Sequence, residues 1–146
     1  MTNLALIIVI GLLGGIAVGL QAPLASAINQ RLGILESVFI VHLGGLIAVA
    51  VPLLFLGGGR LAQWQTVPPY TLTAGVLGVV VVGSTVLMVP RIGVAAAIVL
   101  IITGQLFIAA TIDHLGLFGV LAKPLGVHRV MGLGLVLLGV WWALRH

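Results

Sequence analysis

Two carboxylates, Glu36 and Asp113, and four histidines, His42, His114, His128 and His146, are the carboxyl and imidazole groups that this sequence could bring to acid–base chemistry. Such chemistry needs positioned titrating partners, and the two acids lie far apart with no partner pattern around either. Glu36 opens an apolar run one turn past Arg31, where a negative charge suits the positive end of a helix dipole. Asp113 closes an apolar run, at the end where the dipole disfavours an acid, with His114 beside it and Lys123 or Arg129 close enough to compensate. A residue set against its dipole is the better site candidate. His42 is the one ionisable side chain deep inside an apolar run. It could serve proton coupling, although a neutral histidine bonded between helices is the expected state.

Other chemistries find no support. There is no cysteine, so disulfides and thiolate metal sites are excluded. His114 and His128 flank a loop without a carboxylate pattern, so no metal site is expected. The sequence has no glycine-rich phosphate loop followed by lysine, no HExxH and no nucleophile elbow. Neither an enzyme nor a cofactor is indicated. The six basic residues stand singly along the chain and form no patch, which argues against nucleic acid despite the net charge of +4.

What remains are uncharged polar side chains within apolar runs. Asn29 is one of the polar side chains within these runs; Ser and Thr can bond back to their own helix carbonyls, but Gln21, His42 and Gln105 cannot do so as easily. Each should face the protein interior or a wet cavity, either touching a substrate or tying helices together. Gly11, Gly15 and Gly19 recur four apart and so share one helix face, a pattern that lets a second backbone approach closely.

The elements that carry these residues are set by composition. Hydrophobic residues make up 62% of the 146-residue chain and charged residues 5%, with a mean hydropathy of +1.39. A soluble domain carries roughly 25% charged residues, so the solvent around most of this chain must be lipid. Charges and turn signals divide it into apolar runs of about 20 residues, the length that crosses a hydrocarbon core. Helices are predicted over about 4–30, 35–56, 69–89, 92–112 and 127–144. Pro23 should kink or break the first, Gly57-Gly58-Gly59 should stop the second, and Pro90-Arg91 should close the third. Asp113-His114 should end the fourth, and Trp141, Trp142, Arg145 and His146 should close the fifth as an interfacial belt. With no basic residue before Leu4, the first helix is expected to be retained rather than cleaved as a signal. Continuous apolar runs disfavour β-barrel strands. The expectation is an all-α membrane protein, a single five-helix transmembrane domain over residues 1–146 with no evident internal repeat.

At this point the residues resemble a family. The run Val89-Pro90-Arg91-Ile92-Gly93-Val94-Ala95-Ala96, then Gly104-Gln105, then Asp113-His114-Leu115-Gly116-Leu117-Phe118-Gly119, is similar to the YdcZ-type proteins, five-helix members of the drug/metabolite transporter superfamily. Gly19-Leu20-Gln21-Ala22-Pro23 with Asn29, and Gly132-Leu133-Gly134, fit the same pattern. Larger members carry two inverted five-helix repeats, so the resemblance implies a half-transporter of the inner or plasma membrane. Small multidrug-resistance relatives use a glutamate in their first helix, and no acid lies there in this chain, so antiport chemistry of that type lacks its carboxylate. The expected function is small-molecule transport by alternating access in a homodimer, antiparallel with dual topology, or in a pair with a five-helix paralogue. A membrane scaffold or accessory subunit is the alternative. Gln21, Asn29, His42 and Gln105 are expected to line the cavity, with Asp113 as a gate or helix-end contact.

Overall fold

A computed structural model describes residues 4–145, so His146 lies outside the described residues. The chain is an all-α membrane protein. Its helices are α1 (Leu4–Leu32), α2 (Ile34–Phe55), α3 (Ala74–Ile92), α4 (Val94–Leu115) and α5 (Val127–Ala143), with 3-10 turns at Leu61–Thr66, Pro69–Thr73 and Leu117–Gly119. The segments Leu4–Leu32, Ile34–Phe55, Pro69–Ile92 and Val94–Leu115 are long and apolar enough to cross a membrane, and α5 is a shorter apolar helix. Residues 1–91 and 92–146 form two compact units.

In the first unit the core is made of small side chains. Ala22, Ala25 and Ser26 of α1, Ser37 and Val38 of α2, and Thr85 and Val86 of α3 are buried. Small residues suit a membrane helix contact, because lipid gives little hydrophobic drive and close backbone approach must supply the packing. The Ser37 hydroxyl donates to the Ala25 carbonyl at 2.7 Å and joins α2 to α1. Outside this core α1 is open: Leu4 to Val18 are all exposed.

α3 and α4 run a turn or less beyond where Pro90 and Asp113 were expected to close them, while Pro23, expected to kink or break a helix running to about residue 30, does not interrupt α1. α1 continues past Pro23 to Leu32. α3 runs through Pro90 to Ile92. The five-residue turn Pro69–Thr73 that precedes it is 3-10 rather than α. α4 passes Asp113 and His114 and stops at Gly116, whose φ of 63° supplies the left-handed C-cap. Gly57, Gly58 and Gly59 stop α2 as expected, with φ of 67°, 79° and 57°.

The joints between α1 and α2 and between α3 and α4 are single glycines. Gly33 adopts φ 109°, ψ 170°, and Gly93 adopts φ 83°, ψ 164°, a region essentially closed to residues with a Cβ. The surrounding pattern is the same: Arg31-Leu32-Gly33-Ile34 and Arg91-Ile92-Gly93-Val94. Each glycine carbonyl accepts the first bond of the next helix, from Ser37 at 3.1 Å and from Ala97 at 3.2 Å. Ser37 and Ala97 are both fully buried. This is a local repeat that a search for strict sequence identity passes over.

In the second unit the loop after α4 is fixed to the helix end. The Lys123 N–H donates to the Asp113 carbonyl at 2.7 Å, and the Leu125 N–H donates to His114 Nδ1 at 3.2 Å. At the far end of α5 the Arg145 guanidinium stacks 3.6 Å from the Trp141 ring centre, consistent with an interfacial aromatic and cation pair.

Candidate functional site

Asn29 sits in the last turns of α1, half-buried, and its side-chain amide donates to the Val86 carbonyl of α3 at 3.0 Å. That carbonyl lies four residues before Pro90, which has no N–H to give it. An unsatisfied carbonyl inside a membrane costs several kcal/mol. Asn29 therefore replaces the donor that proline removed where α3 passes through Pro90. Its amide nitrogen serves architecture.

His42 lies one turn along α2 from Val38, and its Nδ1–H donates to the Val38 carbonyl at 2.8 Å. The opposite ring nitrogen faces α3: a Cβ placed on Gly78 would come within 3.2 Å of Nε2. Gly78 is what lets the imidazole lie against α3. Asn29 and His42 are thus both brought to α3, at separate places along it. Neither contact makes a metal or acid–base cluster, and no group of three His, Cys, Asp or Glu residues that could hold a metal occurs among the described residues.

Gln21 on α1 and Gln105 on α4 behave differently. Both are exposed, and neither makes a hydrogen bond within the described residues. Both stand in helices of membrane-spanning length. The glycine face of α1 is equally open: a Cβ at Gly11, Gly15 or Gly19 would meet nothing within 4 Å. Among the described residues no other helix packs onto these three glycines, which leaves the face open to a second chain.

Asp113 is half-buried near the C-terminal end of α4 and accepts a hydrogen bond from Arg129 at 3.1 Å. Arg129 occupies the first turn of α5. Each charge is set against the dipole of its own helix, an acid at a C-terminus and a base at an N-terminus, and each relieves the other. Gln105 shares α4 with Asp113 but stands two turns away.

The residues that sequence reading passed over are Ser37 and Gly78. Ser37 follows Glu36 directly and shows no signal of its own beyond its place four residues after the joint glycine. Gly78 carries none at all.

A family model described as "Putative inner membrane exporter, YdcZ" matches residues 6–142. No curated protein matches the chain, and no solved structure does.

Proposed function

Because this chain belongs to the YdcZ-type family of inner membrane exporters and is a multi-pass inner membrane transporter, we propose that it is half of an exporter completed by a second five-helix chain. The pair would move a small molecule by alternating access, with substrate held between the two halves near the bilayer midplane. The partner is a second copy in antiparallel orientation or a five-helix paralogue.

The observation that carries this reading is the state of Gln21 and Gln105. Two carboxamides on membrane helices, exposed and without a hydrogen-bond partner among the described residues, cannot remain against hydrocarbon, because each unsatisfied polar group there costs several kcal/mol. They require a wet cavity or another chain. The open Gly11, Gly15 and Gly19 face supplies a surface on which a second helix can pack closely. The Asn29 amide is bonded to α3 and the His42 Nδ1–H to its own helix, so neither of these donors is left for the solute.

Solute-dependent thermal stabilisation, screened over metabolites and cationic drugs, identifies a transported compound, and purified protein in liposomes then reports its movement. Gln105→Leu should lower transport about tenfold or more while expression and assembly stay near wild type, since a buried polar contact to substrate is lost. Lost folding, with normal transport by the protein that survives, would assign Gln105 to helix association instead.

A further inference from the structure

The Asp113–Arg129 pair stands at the mouth of a groove between α4 and α5 with a volume of about 410 Å³. Leu106 and Ala109 from α4 and Gly132, Leu133 and Val136 from α5 make its apolar floor. These residues lie at spacings of three, four and seven from the charged pair on their own helices, so one face of each helix carries a charge at its end and apolar surface below. Helix ends sit at headgroup depth, and the floor then reaches into the hydrocarbon.

The pair itself is only partly used. One carboxylate oxygen of Asp113 accepts one guanidinium N–H of Arg129, and the side chains are 34% and 44% exposed. The second carboxylate oxygen and the remaining guanidinium N–H groups have no protein partner among the described residues. Helix stability does not explain either charge, because each opposes the dipole of its own helix, and an exposed ion pair adds little. The loop bonds from Lys123 to the Asp113 carbonyl and from Leu125 to His114 hold the mouth in place.

We infer that this groove binds a phospholipid with a zwitterionic ethanolamine headgroup. The ammonium donates to the free Asp113 oxygen, the phosphate accepts from the free Arg129 N–H groups, and one acyl chain lies along the floor between α4 and α5. Adjacent unsatisfied groups of opposite sign match a headgroup that carries both signs. An anionic glycerol headgroup brings no cation for Asp113, and a choline headgroup brings no N–H donor. The site lies within residues 106–136 and does not depend on the exporter reading, since binding requires no transport.

Competition between lipids, read by native mass spectrometry of the purified full chain, tests it. From an equimolar mixture, wild type should retain phosphatidylethanolamine over phosphatidylglycerol and over phosphatidylcholine by about fivefold, the upper range for a partly exposed charge contact. Asp113→Asn should bring these ratios to about one. Gly132→Leu places a side chain where nothing lies within 4 Å, and should reduce retention of all three lipids with helical content unchanged. Equal retention of the three lipids by wild type overturns the inference without recourse to any variant. So does a preference that survives Asp113→Asn, or displacement of the lipid by free phosphoethanolamine, which would mark a site for a polar solute.

Discussion

Proline at position 90 and asparagine at position 29 form one unit of structure, although they stand on different helices. Pro90 leaves the Val86 carbonyl without its helical donor, and Asn29 supplies one at 3.0 Å. Interhelical hydrogen bonds in membranes average about 0.6 kcal/mol, but removing this donor also leaves a carbonyl with no other partner, so Asn29→Leu should cost about 1–2 kcal/mol. In a Pro90→Ala background the helix recovers its own N–H donor to Val86, and the same Asn29→Leu change should cost clearly less. Thermal unfolding of the four proteins of this cycle in one detergent measures the coupling. Additive effects of the two substitutions would mean that the amide serves something other than the proline gap. The reading of Asn29 as a polar residue needing an interior partner came from the sequence alone. Its partner could not, because a backbone carbonyl carries no side-chain signature and the only hint, a proline four residues later, lies on another helix. His42 is similar. Its need for a contact is legible, whereas Gly78 is one among 21 glycines and is singled out only by its 3.2 Å approach to the ring.

Among the elements, the five helices were legible because apolar runs of membrane length are bounded by charges and glycines. Their ends were less so. Pro90 and Asp113 look like stops in a chain read as isolated helices, yet α3 runs through Pro90, where the freed carbonyl takes a tertiary donor, and α4 runs past Asp113, which pairs with Arg129. The joints carry a sharper constraint. Gly33 at φ 109° and Gly93 at φ 83° hold a backbone that a Cβ opposes by about 1–3 kcal/mol. At Gly33 an added Cβ also meets a Glu36 carboxylate oxygen at 2.7 Å, but that is the free end of a flexible side chain and can move. Gly33→Ala and Gly93→Ala should therefore destabilise to similar extents. Gly14→Ala, in the middle of α1 with nothing within 4 Å, should be neutral or stabilising by up to about 1 kcal/mol. The three melting temperatures in the same detergent compare them directly. Equal melting at all three sites would remove the positive-φ joints as a constraint on the fold.

For the whole molecule the decisive quantity is the distribution of positive charge, since Lys and Arg in short loops set orientation while Asp and Glu contribute little. If the five helices cross alternately, Arg31, Arg91 and Arg145, which follow α1, α3 and α5, would fall on one side of the membrane. Arg60, Lys123 and Arg129 fall between α2 and α3 or between α4 and α5, on the other side. Three basic side chains against three leave the positive-inside rule without a preference. Such a balance predicts insertion in both orientations, and under the half-exporter proposal opposite copies would then pair as the antiparallel dimer. Reporters active on only one side of the membrane, fused to the C-terminus, read the outcome. Both a cytoplasmic and a periplasmic reporter should give signal in the unmodified chain. Adding one or two lysines in the Gly57–Gly59 turn should shift the population toward one orientation, because the balance is close enough for a single charge to tip it. A chain that activates one reporter alone cannot supply its own inverted partner, and that result would leave a paralogue of opposite orientation as the second half.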